Sequence, residues 1–353
     1  MRHAEPTEDV RWGTVVTIPA FPHRRATVVF PSRLRRRSAF AVLSSAVLSL
    51  IVLAPHSSAV AEPVPGDGIP TLAEPVADEP TADSSSAESD SAESEFPTAR
   101  TTGVPRGWVP ERTVVGDVRV VEAGAEVSDL RIIRGNLIVD APDVTVRRVE
   151  VRGGRIDNFA GPTCHTGLRI VDSTVRRAVG VPTSGDMPVV GTGGYVAEGV
   201  KIVGVSEGFR VGGKDDCGGV EIHRSFVRVV SPDICGDWHG DALQGYDGGH
   251  LVVRDSVLRL VELPGCGGTA PFFYPADQGN TSVDIDGLVV SGGGFAFRLG
   301  MPGPVRRLHV EEGMFGYGPL DVLCPLVDAW EASISALGEG GQPEPVEDLT
   351  CGS

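Results

Sequence analysis

Several residue types and motifs are scarce or missing in this 353-residue chain. Lysine occurs only as Lys201 and Lys214, and aromatic residues make up 6% of the sequence. No apolar run reaches the roughly 20 residues that a transmembrane helix needs. The chain has no phosphate-binding loop, no GxSxG elbow, no HExxH motif and no CxxC pair. These absences argue against the usual nucleotide-binding, serine-hydrolase, zincin and zinc-thiolate classes.

Basic residues are also fewer than acidic ones, with 31 Lys and Arg against 47 Asp and Glu and a net charge of −16. Phosphate contacts require a basic face, so we expect no nucleic-acid partner. The acidity disfavours long-range attraction of a polyanion, although a local arginine cluster could still bind one.

The first 61 residues have the features of an exported protein. Residues 33–37 supply a basic region, residues 41–54 a short apolar run, and residues 59–61 (Ala-Val-Ala) a cleavage site. The alternative is an uncleaved membrane anchor, but the run is short for one. We therefore assign residues 1–61 to an N-terminal extension and signal peptide, and expect a secreted or envelope-associated protein without a stable membrane span after cleavage.

Residues 62–105 are rich in Pro, Ser, Ala and acid, with ten acidic residues against one arginine. Such a segment cannot bury enough apolar surface to fold, so we interpret it as a disordered linker. The folded domain is then expected over residues 106–353.

All six cysteines follow the signal, and an even number in an exported domain predicts disulfides. Cys324 and Cys351 both follow the last strand repeat, so we expect them to be bonded. Cys235 and Cys266 precede equivalent strand positions one repeat apart, which suits a second bond. By elimination, the third pair is Cys164 with Cys217.

From residue 130 onward a short pattern recurs, in which apolar-x-apolar is followed by a two-residue turn and another apolar residue. Alternation at period two indicates strands with one buried face. Recurrence every 20–32 residues, without helical patterns between, favours a β-solenoid over a sandwich or a βαβ fold. The pattern repeats at Val144, Leu168, Val220 and Leu251, and its first half repeats at Val200, Val283 and Leu308. Three serines then fall at one corner as a possible polar ladder: Ser173, Ser225 and Ser256.

A second set of strands precedes the first, and its alignment predicts two rows. The inward row is expected to contain Phe209, Leu243, Phe272 and Phe295. The outward row, a surface that could bind sugars, is expected to contain Arg210, Gln244, Phe273 and Ala296.

The stretches VTVRRVEVRGG, GFRVGG, HGDALQGYDGG and GGGFAFRLG make residues 102–330 resemble secreted bacterial proteins of the pectin-lyase-like superfamily. HGDALQ is similar to the H-x-D-G-x-Q pattern of many such proteins, with Ala242 in place of glycine. The resemblance implies an all-β fold, a right-handed parallel β-helix. Its relatives include lyases, hydrolases, adhesins and chains without assigned chemistry.

The densest polar cluster contains His239 and Asp241, which suit acid–base chemistry or instead satisfy backbone groups of adjacent coils. The preceding repeat supplies Asp215 and Asp216, which suit catalysis or a divalent cation such as calcium, or else form a solvated loop with Lys214. No cofactor is required by the sequence. The substrate-binding candidates could contact sugar, or instead be surface charges and apolar caps: Arg210, Lys214, Gln244, Trp238, Tyr246, Phe273 and Arg298.

Two functions remain open from the sequence. The first is an enzyme, a polysaccharide lyase or glycoside hydrolase, that acts on extracellular polysaccharide through the region of His239 and Asp241. The second is a non-catalytic surface protein that binds glycan. In either case we expect a monomer.

Overall fold

The computed structural model describes residues 15–18, 26–29 and 95–352, except 160–162, 184, 186–187 and 214–216. The predicted signal peptide and most of the predicted linker lie outside these residues. The strands in chain order are β1 Val15–Ile18, β2 Ala26–Val29, β3 Arg112–Val115, β4 Val118–Val120, β5 Glu126–Ser128, β6 Leu130–Ile133, β7 Leu137–Val139, β8 Thr145–Arg147, β9 Glu150–Arg152, β10 Ile156–Asp157, β11 Leu168–Val171, β12 Thr174–Arg176, β13 Tyr195–Glu198, β14 Lys201–Val203, β15 Phe209–Gly212, β16 Val220–His223, β17 Phe226–Val230, β18 Asp241–Tyr246, β19 Leu251–Val261, β20 Ala270–Tyr274, β21 Val283–Ser291, β22 Phe295–Leu299, β23 Gly303–Glu311, β24 Gly318–Val322, β25 Val327–Leu337 and β26 Pro343–Asp348.

Three single-turn 3₁₀ helices complete the described elements: Ala276–Gln278, Cys324–Leu326 and Glu339–Gly341. None of the helices in the described ranges is long and apolar enough to cross a membrane.

Parallel pairing between successive coils produces a β-helix with three faces, as the repeat predicts. Face 1 stacks the first strand of each coil: β3, β6, β9, β12, β14, β17 and the second half of β19. Face 2 stacks the second strand, and in its later coils contains β15, β18, β20, β22 and β24. Face 3 stacks the third strand: β5, β8, β11, β13, β16 and the first half of β19.

The corner between face 3 and face 1 is built by one residue per coil in the left-handed region. Six of these residues are charged rather than glycine, although a non-glycine side chain is normally disfavoured at positive φ. Ion pairs between corners offset part of that strain. Arg148 donates to Asp129 at 2.6 Å, and Arg307 donates to Asp255 at 2.8 Å. The corner residues are Asp129, Arg148, Asp172, Gly199, Arg224, Asp255, Gly287 and Arg307.

The predicted serine ladder follows these corners. Ser173, Ser225 and Ser256 are buried, and each hydroxyl accepts a backbone N–H from the preceding coil at 3.1–3.2 Å. The ladder therefore satisfies polar backbone groups where the chain turns inside the core.

The inner faces of the strands form one continuous apolar core from Val118 to Leu349. In the later coils this core includes a stacked pair, Phe272 and Phe297, whose ring centroids are 4.5 Å apart. All three predicted disulfides are confirmed: Cys164–Cys217, Cys235–Cys266 and Cys324–Cys351.

Residues 95–108 cross the outside of face 1. Phe96 packs on Phe226, Val257 and Val289, and its ring meets His309 edge-on. Lys201 donates to the carbonyl of Ala99. The end of the segment predicted as linker is thus part of the folded domain, because Phe96 covers an apolar strip that would otherwise face solvent.

At the two ends of the described solenoid, antiparallel strands pair with parallel ones. The hairpin of β1 and β2 pairs with β4, and β26 pairs with β25. Antiparallel pairing closes an edge that would otherwise present unpaired backbone groups.

Candidate functional site

The outer surface of face 2 brings together four of the predicted substrate-binding residues. Strand register places Arg210 beside Gln244, Gln244 beside Phe273, Phe273 beside Arg298, and Arg298 beside Asp321. Neighbours in such a row are about 4.8 Å apart. We call these five residues the face 2 row.

The predicted alignment was wrong in one strand. Phe297, not Phe295, is the register partner of Phe272, so the inward row continues through Phe297. Ala296 is fully buried, and Arg298 takes its predicted place in the outward row. The strand GFAFRL has an apolar residue at each of two alternate inward positions, so composition could not choose between registers two residues apart.

Arg298 contacts both of its neighbours in the row. Its guanidinium lies 4.9 Å from the centroid of the Phe273 ring and 5.8 Å from that of Phe295. Its Nε donates to Asp321 Oδ2 at 2.7 Å. A small cavity of about 200 Å³ adjoins the pair and is lined by Asp277 among others. Arg298 itself is 30% exposed, so its guanidinium is held between aromatic rings and Asp321 while part of it stays accessible.

At the other end of the row, Arg210 and Gln244 are both partly exposed. The Arg210 Nε is buried and has no hydrogen-bond acceptor among the described residues. The backbone carbonyl of Arg210 is fixed by the hydroxyl of Tyr195, which donates to it at 2.9 Å. A buried guanidinium N–H without an acceptor is unfavourable, and only the partly exposed remainder of the Arg210 side chain can donate to a ligand.

Asp241 begins β18 and lies next to Glu207, its equivalent on the preceding coil. Both side chains are about 1% exposed. The Asp241 N–H donates to Glu207 Oε1 at 3.3 Å, and Asp241 Oδ1 accepts the N–H of Ala270 at 3.0 Å. Asp241 Oδ2 is buried and has no hydrogen-bond partner.

Two causes raise the pKa of Asp241 well above its usual range. The larger is burial, and the second is the neighbouring charge of Glu207. The Ala270 N–H and the charges of Arg210 and Arg298 act in the opposite direction but do not offset them. The pair therefore favours a protonated carboxyl close to the face 2 row.

His239, by contrast, is exposed and does not meet Asp241. Its nearest acid is Asp237, with 3.7 Å between His239 Nε2 and Asp237 Oδ1. Both of these side chains are largely in solvent, at 65% and 98% exposure, so the pair is weak. The predicted acid–base couple of His239 with Asp241 is not assembled in this structure.

Of the predicted aromatic candidates Trp238 and Tyr246, the first is buried and the second is exposed. Trp238 is 4% exposed and belongs to the core, and its indole N–H donates to the carbonyl of Ser206 at 3.0 Å. It therefore presents no ring to a ligand. Tyr246 is exposed at the end of β18, where its ring is accessible.

Lys214, Asp215 and Asp216 lie outside the described residues, so their predicted roles stay predictions. Within the described part of the chain, no group of three or more His, Cys, Asp and Glu side chains is placed to hold a metal ion.

Sequence reasoning missed Glu207 and Asp321. The signal for Glu207 was present, because aligning Phe209 with Leu243 puts Glu207 opposite Asp241. Asp321 required the register of β24, a strand that lacks the repeat's alternating pattern.

Comparison with known proteins adds no identification. No family model, no curated protein and no solved structure matches this chain significantly.

Proposed function

We propose that this protein is an exported polysaccharide-binding β-helix of the pectin-lyase-like kind, and that the face 2 row is its binding surface. The observation that carries the proposal is the row itself, in which two arginines, an amide, an aromatic ring and a carboxylate are aligned along the solenoid axis. Three disulfides are consistent with an extracytoplasmic location.

The chemistry of the row favours an extended chain that bears carboxylates, such as a polyuronate. Arg298 and Arg210 can each donate a forked pair of hydrogen bonds to a carboxylate. Phe273 is buried at 7% exposure, and its ring lies beneath the Arg298 guanidinium and supports it rather than meeting a ligand directly. Because the row runs across successive coils, a linear polymer lying along the axis would meet these groups one after another.

A second candidate is catalysis, as a lyase or glycoside hydrolase. It is favoured by one observation, the buried Asp241 carboxyl beside Glu207 with a pKa raised by burial. A carboxyl with a raised pKa suits a general acid. Asp241 is however 1% exposed, so a substrate could reach it only if the neighbouring surface opened.

Binding is tested by titrating the full exported domain with polygalacturonate and with a neutral glucan. We expect polygalacturonate to bind more tightly, and Arg298→Ala with Phe273→Ala to weaken that binding by about tenfold or more. Arg169→Ala is the matched control, since Arg169 lies exposed on face 3 with only a 4.0 Å contact to Glu198.

Equal weakening by the control, or no binding of either polymer, would overturn the proposal. The same samples are assayed for new reducing ends and for unsaturated-uronate absorbance. Turnover that Asp241→Asn abolishes would replace the binding function with the catalytic one.

A further inference from the structure

Face 1 carries a second row of charge that the face 2 proposal does not use. Arg152 is the register partner of Arg176, and Arg228 is the register partner of Arg259. Val203 separates the two pairs along the same row. Register partners on adjacent coils are about 4.8 Å apart, so two like-charged pairs are stacked on this face. We call these four residues the arginine row.

The first pair is only partly neutralised. Buried Glu150 contacts the Nε atoms of Arg131, Arg152 and Arg176 at 2.6, 2.9 and 2.9 Å. One carboxylate therefore serves three guanidinium groups. Lys201, on the next coil, adds a fourth positive charge close to the same group.

The second pair has no acidic partner at all among the described residues. Arg228 is exposed and Arg259 is partly exposed. The side chains of both lack an ion pair there, and the Nε of Arg259 is buried without an acceptor. Like charges opposite each other on neighbouring strands are destabilising, and an N–H removed from water without an acceptor adds to that cost.

Stability alone does not require these arginines. On the following coil the same row is occupied by Ser291, the register partner of Arg259, and the coil stacks there without interruption. The whole chain is acidic, with a net charge of −16, so the local excess of positive charge does not follow from composition. An anionic ligand would supply the missing acceptors.

Residues 95–108 lie along one side of the arginine row. Phe96 covers Phe226 and Val257 on the neighbouring outward row, two residues away in the same strands as Arg228 and Arg259. The arginine row is left uncovered beside it. The accessible surface is thus a strip parallel to the solenoid axis.

We propose that the arginine row binds a polysaccharide that carries sulfate ester or phosphate groups, at a site separate from face 2. Each such group has three terminal oxygens, so one group can accept hydrogen bonds from two arginines on adjacent coils. A carboxylate can also bridge a stacked pair, as that of Glu150 does, but a sulfate or phosphate group offers a third terminal oxygen for a further donor. The ligand bound here would hold the solenoid along its axis while face 2 remains free.

The test uses the full exported domain and four forms of one polymer: dextran, carboxymethyl dextran, dextran sulfate and phosphorylated dextran. We expect the sulfated or the phosphorylated form to bind most tightly, and the comparison between them identifies the group. Arg228→Gln with Arg259→Gln should weaken that binding by about tenfold. Arg169→Gln on face 3 should leave it unchanged. Absence of binding to both forms, or an equal loss in the Arg169→Gln control, would overturn the proposal.

A second measurement needs no substitution and therefore does not depend on how the variants fold. Arginine side chains of the native protein are labelled with a dicarbonyl reagent, with and without the bound dextran derivative, and the labelled sites are mapped by mass spectrometry. We expect Arg228 and Arg259 to be protected by the ligand and Arg169 to remain reactive. Full reactivity of Arg228 and Arg259 under saturating ligand would refute the assignment.

Discussion

Two buried carboxylates, Glu150 on face 1 and Asp241 at the start of a face 2 strand, lie in opposite electrostatic surroundings. Burial opposes the ionisation of Glu150, but hydrogen bonds from Arg152 and Arg131 outweigh it and lower its pKa. Burial also opposes the ionisation of Asp241, and there the neighbouring Glu207 adds to the effect and raises the pKa. The ionised form of a buried carboxyl is thus favoured at Glu150 and disfavoured at Asp241.

The difference separates a structural role from a candidate functional one. Glu150 ties three arginines on successive coils to one another, which is what a coil needs to stay in register. Asp241 and Glu207 bring two acidic groups together inside the solenoid, an arrangement that costs stability. Perturbed carboxyl pairs of this kind are found more often at functional sites than elsewhere.

The largest expected loss of stability comes from the substitution Glu150→Gln. Glu150→Gln keeps the shape of the side chain but leaves three guanidinium groups without their shared anion. We expect the free energy of unfolding at pH 7 to fall by about 4 kcal/mol, as when one partner of a buried ion pair is removed. Urea denaturation of the folded domain measures it.

The stabilising contribution of Glu150 depends on pH. Because the folded pKa of Glu150 is lowered, its contribution is complete above the unfolded value of about 4.3 and is lost as the pH falls through the folded pKa. The difference between Glu150→Gln and the wild type should therefore shrink in acid. Glu331→Gln, at an exposed position of β25, is the control and should change stability by less than about 0.5 kcal/mol. A Glu150→Gln effect as small as that control would show that the arginines do not depend on Glu150.

An intermediate effect is expected from the disulfide nearest Asp241. Cys235 and Cys266 link the coil that contains Asp241 to the following coil, across 31 residues of sequence. Replacing both with serine should lower the free energy of unfolding by about 3 kcal/mol, because the unfolded chain gains freedom. The measurement is urea denaturation under non-reducing conditions. If reduction of the wild type causes no comparable loss, the crosslink is not what secures this coil.

The sequence predicts most of the fold because a solenoid repeats one physical requirement. Val144, Leu168, Val220 and Leu251 each face inward, so an alternating pattern recurs, and the stacking of these strands and the Cys235–Cys266 pair could be predicted from it. The prediction fails where that requirement is ambiguous. Phe295 and Phe297 are both apolar and two residues apart, and only the stacking of Phe297 on Phe272 distinguishes them.

The candidate site was less predictable because it depends on which way a side chain turns at a corner. His239 and Asp241 are two residues apart and share a polar, glycine-rich stretch, so they were expected on one surface. In the structure His239 points to solvent, whereas Asp241 enters the interior and binds the next coil through Ala270. Arg210, Gln244, Phe273 and Arg298 were easier to place, since they lie within strands whose neighbours are fixed by stacking.

The smallest expected effect is a gain of stability on the Asp241 side. The folded pKa of Asp241 is raised, so the unfolded state binds fewer protons above the unfolded value of about 3.9, and wild-type stability should fall as the pH rises toward the folded pKa. Asp241→Asn removes this ionisation, while its amide oxygen can still accept the Ala270 N–H. We expect the variant to be more stable than the wild type at pH 8, and the difference to shrink progressively toward pH 4. Urea midpoints across this range measure the difference, with Asp321→Asn on the exposed end of the face 2 row as the control. A variant that is less stable than the wild type at every pH would show that the Asp241 carboxylate is a strut of the coil, like Glu150, and the contrast between the two regions would disappear.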